Sequence, residues 1–129
     1  MGLDLVGDTT ITNEPEYLEK IKRECDGKQI KMVGPATRGE CVYWFSQAHC
    51  LLHPNQRFRE PLGLAPVESQ ACECPVIAWR YGAMKETILH GETGFLVDSL
   101  DEMVELIKTG AVDGLDRKRC REWVISKFR

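Results

Sequence analysis

This sequence predicts a doubly wound α/β fold, a parallel sheet with helices on both faces, and three observations carry the prediction. Short apolar runs alternate with amphipathic stretches, several runs are apolar at successive positions, and N-cap signatures open some of the stretches between them. A strand covered on both faces needs apolar side chains at odd and even positions alike. Repeated strand and helix alternation makes such a sheet parallel.

Strands are expected at Leu3 to Val6, Ile30 to Val33, Cys50 to His53, Pro75 to Trp79 and Phe95 to Val97, with helices between them. Asn13 with Glu16 forms an N-cap signature ahead of Leu18, Ile21 and Cys25, and Ser99 with Glu102 repeats it ahead of Met103, Leu106 and Ile107. Cys120, Trp123, Val124 and Phe128 mark the expected buried stripe of a last helix.

With 129 residues, the chain is expected to form a single domain over 1–129. A net charge of -3 argues against a broad cationic face for nucleic acid or anionic lipid. The one basic cluster, Arg117, Lys118, Arg119 and Arg121, reads as a solvated helix face. No run approaches the ~18 apolar residues of a membrane span, and no signal-peptide pattern opens the chain, so a cytoplasmic protein is expected. The six cysteines lack zinc spacing, Cys72 and Cys74 included, and read as reduced, mostly buried thiols. His49, His53 and His90 have no partner acid at evident spacing and read as structural or exposed, while Trp44, Trp79 and Trp123 read as core.

Ligands of doubly wound sheets bind beyond the carboxyl ends of the strands, which directs attention to the loops Gly34 to Arg38, Pro54 to Gly63 and Trp79 to Glu86. A single Gly7 after the first strand, with no Gly-rich fingerprint and no phosphate-loop lysine, disfavours nicotinamide and P-loop chemistry. The informative segment is Glu60-Pro61-Leu62-Gly63-Leu64-Ala65-Pro66-Val67-Glu68. Pro66 suits a first helical turn and Gly63 permits close ligand approach, so a helix is expected to start around Leu64. Its unpaired N–H groups and dipole would favour a diphosphate by roughly 0.3 to 1 kcal/mol per charge. Glu60 and Glu68 would flank that anion with acceptors for sugar and ribose hydroxyls. The Glu spacing alone carries little, since Glu16 and Glu24 repeat it, and both acids also read as plain surface residues.

That run, with Ala71-Cys72, Pro75-Val76-Ile77-Ala78, Glu86 and Gly91-Glu92-Thr93-Gly94-Phe95-Leu96-Val97, resembles the retaining group 1 glycosyltransferases of GT-B architecture, in order and over nearly the whole chain. The resemblance implies the Rossmann-like, C-terminal donor-binding half of such an enzyme, which transfers a sugar from a nucleotide-diphosphate sugar to a hydroxyl acceptor, with no metal or other cofactor. It assigns Glu60 to the donor sugar as the catalytic residue, the backbone of Leu62, Gly63 and Leu64 to sugar hydroxyls and phosphate, and Glu68 to the ribose. It places Gly34, Pro35 and Arg38 near the base.

The chain departs from the family where Leu62 replaces a common Phe, Lys85 a common Pro, and Glu73 a common Gly. A side chain at position 73 is expected to be strained if a positive backbone angle is needed there. The family's phosphate-binding Arg and Lys lie upstream of Leu3, and its acceptor-binding N-terminal domain and closing helix lie outside this chain. The expectation is therefore a fragment truncated at both ends and inactive alone. The alternatives are a non-catalytic nucleotide-sugar-binding module or partner subunit that needs a separate acceptor domain, and a generic flavodoxin-like domain.

Overall fold

The computed structural model describes residues 2–6, 15–54 and 64–128. Two compact units divide the chain, residues 1–41 and 42–129.

In the first unit, β1 (Leu3–Val6) pairs in parallel with β2 (Ile30–Gly34), Leu3 opposite Ile30, with the register shifting between Leu5 and Val6. Parallel neighbours need a crossover, and α1 (Pro15–Glu24) supplies it. Proline at the first helical position costs no hydrogen bond, and Glu16 in the first turn with Lys22 and Arg23 in the last complements the helix dipole. Asn13, expected to cap this helix, lies outside the described residues. Leu18, Ile21 and Cys25 are half-buried. The turn into β2 is closed by Asp26, whose carboxylate accepts the N–H groups of Lys28, Gln29 and Ile30 at 2.8, 2.8 and 2.9 Å. These bonds, Ile30's foremost, hold the Asp26 carboxyl below its ordinary range.

Helix α2 (Arg38–Gln47) begins in the first unit and ends in the second. Thr37 caps it: its Oγ1 accepts the Glu40 N–H at 3.2 Å and donates to the Glu40 carboxylate at 3.0 Å.

The second unit holds a parallel sheet of β3 (Leu51–His53), β4 (Val76–Trp79) and β5 (Gly94–Val97), with β4 in the centre. Alternation along β4 feeds two separate cores. Val76 and Ala78 pack with Met84, Ile88 and Leu96 on one face, and Ile77 packs with Val97, Met103 and Val112 on the other. Met84 belongs to α4 (Met84–Thr87) and Met103 to α5 (Leu100–Thr109), so helices cover both faces, as the doubly apolar strand predicted. The strand begins at Val76 rather than at Pro75, because proline has no N–H for the ladder; its carbonyl still accepts the Leu51 N–H at 2.9 Å.

Gly94 lies opposite Val76, and a Cβ there would overlap the Val76 carbonyl. Ser99 caps α5 as expected, its hydroxyl accepting the Glu102 N–H at 3.1 Å. The Glu102 carboxylate reaches back one residue further than a capping box does and takes the Asp98 N–H at 2.9 Å. Helix α5 ends at Gly110 in the left-handed region, φ 68°.

The last helix, α6 (Arg117–Phe128), buries Cys120 and Val124, with Trp123 half-buried. Phe128 does not join that stripe: it is exposed at the helix's last turn. The basic cluster is less solvated than its sequence suggests. Arg117 donates to the Ala48 carbonyl at 3.0 Å and Arg121 to the Ala71 carbonyl at 2.9 Å, where cations complement the ends of α2 and α3 (Leu64–Ala71). Arg119 sits 3.7 Å from Glu92.

All six cysteines are free, with Cys74 and Cys120 buried and the rest half-buried. Burial pushes the Cys50 and Cys120 thiols up to about 11 and raises Cys74, so none of the three is poised as a nucleophile. Trp44, Trp79 and Trp123 are each half-buried. No helix among the described residues is long and apolar enough to cross a membrane.

Candidate functional site

β3, α3 and β4 form one βαβ crossover, so α3 starts at the carboxyl end of the second unit's sheet and returns to its amino end. The helix begins at Leu64, where Pro66 predicted it. Proline in the first turn removes an N–H that would have had no intrahelical partner, leaving the amides of Leu64 and Ala65 at the positive end of the dipole.

The buried face of α3 is Pro66, Ser69 and Gln70, at helical spacing. Glu68 lies off that face and is exposed, as a residue that meets a solvent-borne ligand must be. Val67 and Ala71 are one turn apart and, with Val124, Ile125 and Phe128 of α6, line an open apolar groove. That groove carries no polar group for a nucleotide and is distinct in chemistry from the Glu68 side of the helix.

At its far end α3 closes in a Schellman motif, Cys74 N–H to Ser69 O at 2.9 Å and Glu73 N–H to Gln70 O at 3.0 Å. Glu73 occupies the left-handed position with φ 63°, the positive angle anticipated for it. A left-handed residue with a Cβ costs roughly 1–2 kcal/mol relative to glycine.

Gln70 is fully buried. Its Nε2 donates to the Pro66 carbonyl and to the Thr87 carbonyl, each at 3.1 Å. Both neighbours are acceptors, so the amide nitrogen must face them and the oxygen must face away. Gln70 Oε1 has no hydrogen-bond partner among the described residues. Leaving such a group unpaired costs about 1–3 kcal/mol. The Thr87 carbonyl takes a second donor, Trp123 Nε1 at 2.8 Å, so α3, α4 and α6 meet at one oxygen.

Of the residues the sequence singled out, Leu64 and Glu68 lie on α3, and Leu64 is 62% exposed. Gly34 ends β2 with φ 88° and Arg38 opens α2, both in the first unit, with Pro35 exposed between them. Glu60, Leu62 and Gly63 lie outside the described residues. Glu86 is exposed on α4.

The histidines are structural or exposed. His49 Nδ1 lies 3.3 Å from Asp113, and His90 Nδ1 accepts the Leu96 N–H at 2.9 Å. His53 is half-buried. No group of His, Cys, Asp or Glu suited to a metal ion occurs among the described residues. Sequence reasoning missed the Gln70 tie, although a glutamine one turn after Pro66 on the buried face was the available signal.

A parallel α/β sheet with a helix start at its carboxyl end is the layout of an open α/β protein, a class that takes its ligands beyond the strand ends. Comparison with known proteins narrows the class: the family described as glycosyl transferases group 1 matches residues 3–124, and this chain belongs to it. A D-inositol 3-phosphate glycosyltransferase of Pseudarthrobacter chlorophenolicus is 41% identical over 69 residues, 54% of this chain and 16% of that protein. Among solved structures, an Anabaena protein crystallised with UDP superposes with TM-score 0.76 at 20% identity over 99% of this chain and 37% of its own. The C-terminal domain of a group 1 family protein from Francisella tularensis gives 0.63 at 26% identity, covering 90% of this chain and 62% of that one. The chain thus spans a small part of the curated relative and well under half of the UDP-bound neighbour.

Proposed function

We propose that this chain is the donor-binding part of a retaining glycosyltransferase, gripping a nucleotide-diphosphate sugar so that the sugar passes to a hydroxyl acceptor. The observation that carries the reading is the start of α3 at Leu64 with Glu68 exposed one turn in, within a family of glycosyl transferases. The α3 amides would meet the diphosphate, Glu68 the ribose hydroxyls, and Glu60 the donor sugar. Gly34 and Arg38 would stand near the base.

In the reaction, the bond from the sugar's anomeric carbon to the diphosphate oxygen breaks, and a bond to the acceptor oxygen forms on the same face. The acceptor's proton leaves with the diphosphate. Charge accumulates on the diphosphate, so preorganised N–H groups aimed at it are the main contribution these residues make. We propose no metal and no further cofactor, and a cytoplasmic setting. Because the matched relatives are much longer, turnover would need an acceptor-binding domain beyond these residues.

Calorimetric titration with UDP-, GDP- and ADP-sugars tests the reading. Glu68→Ala should weaken free nucleotide and nucleotide-sugar alike by about tenfold, the worth of a charge-assisted hydrogen bond near 1.5 kcal/mol. Glu60→Ala should weaken only the sugar-dependent part. Absence of binding to any of the three at millimolar concentration would sink the proposal, as would sugar transfer by this chain with no added acceptor domain sink the claim that one is needed.

A further inference from the structure

We infer that Gln70 is a positioning residue for the donor end of α3, a role that rests on the donor-site reading above. Its amide makes two directional bonds from one nitrogen, to Pro66 O inside the first turn of α3 and to Thr87 O at the end of α4. An apolar side chain of the same length would fill the space without an unpartnered oxygen, so what glutamine adds at this buried position is geometry rather than stability. Pinning Pro66 O to Thr87 O fixes the roll of α3 about its axis.

Roll matters because Glu68 and Gln70 are two residues apart on a helix of ~3.6 residues per turn, which sets them on nearly opposite sides. Gln70 held inward keeps Glu68 outward, and the same rotation aims the Leu64 amide. A roll that turned either away would break the bond to Thr87. Trp123 Nε1 reaches the same carbonyl but from α6, so it ties α4 without constraining α3's rotation.

Gln70→Met in the full chain tests this, with Trp123→Phe as the contrast. The probes are UDP-glucose, GDP-mannose and ADP-glucose, followed by the monophosphate of whichever nucleotide the wild type binds. Q70M should melt at or above the wild-type Tm, yet bind both the nucleotide-sugar and the monophosphate, which share the ribose that Glu68 meets, about five- to tenfold more weakly. W123F should lower Tm and leave nucleotide-sugar affinity within about twofold.

Unchanged nucleotide-sugar affinity in Q70M overturns the role. So does a Q70M chain that loses Tm along with affinity, or a W123F chain that loses as much affinity as Q70M, since either outcome makes Gln70 a general packing residue. Failure of the wild type to bind any probe removes the donor-site reading itself, and the positioning role with it.

Discussion

The two units are built from the same strand and helix alternation but differ in how much they bury. Every described residue of 2–41 is exposed or half-buried, whereas in residues 42–129 a single strand, β4, buries Val76, Ile77 and Ala78 completely. A central strand gives each side chain a covered face, while each strand of a two-stranded sheet has only one neighbour. Apolar burial drives stability at roughly 25 cal/mol per Å², so the second unit carries most of it, and the first depends more on local hydrogen bonds such as those at Asp26.

The largest expected effect breaks the second unit at its tightest contact. Gly94→Ala places a methyl group against the Val76 carbonyl, and backbone packed on both faces has nowhere to move. A loss of about 3 kcal/mol or more should appear in urea denaturation. A loss under about 1 kcal/mol would mean that β4 and β5 separate easily and that the contrast between the units is overstated.

A gain should come from the other end of the same unit. Helices α3 and α5 both finish in the left-handed region, α5 with Gly110 at φ 68° and α3 with Glu73 at φ 63°. Glu73→Gly makes the two ends alike. It removes the Cβ strain but adds freedom to the unfolded chain, for a net gain of about 1 kcal/mol and a rise in Tm of about 3 to 5 °C. An unchanged or lower Tm would show that the glutamate side chain compensates for its backbone.

How far these features were legible depended on whether the signal was local. Apolar residues at successive positions in Val76 to Ala78 announced a doubly covered strand, and Pro66 placed the start of α3. The positive angle at Glu73 was legible only through the family's glycine at that place. Arg117 and Arg121 looked like free surface charge because their partners, Ala48 O and Ala71 O, are backbone atoms 69 and 50 residues away. The Gln70 bond to Thr87 spans 17 residues and is equally silent in periodicity. Phe128 kept the stripe's spacing but sits at the helix's last turn, where α3 offers only Val67 and Ala71 beside it. Glu60, Leu62 and Gly63 rest on the resemblance and on the titrations described above.

The smallest effect sharpens the contrast from the side of the first unit. Asp26 titrates below its ordinary value of 3.8 because three backbone N–H groups bond its charged form. A depressed folded pKa means that the carboxylate's contribution is complete above about 4 and is lost as pH falls through the lower folded value. Amide exchange of Gln29 and Ile30, normalised for intrinsic rates, should therefore lose protection as pH falls below about 4, while Ile77 and Ala78 keep theirs. Asp26→Ala should abolish that protection at every pH and leave the β4 amides untouched. Parallel loss in both sets would show that the two units unfold as one, and that the buried strand and the Asp26 turn share a single stability.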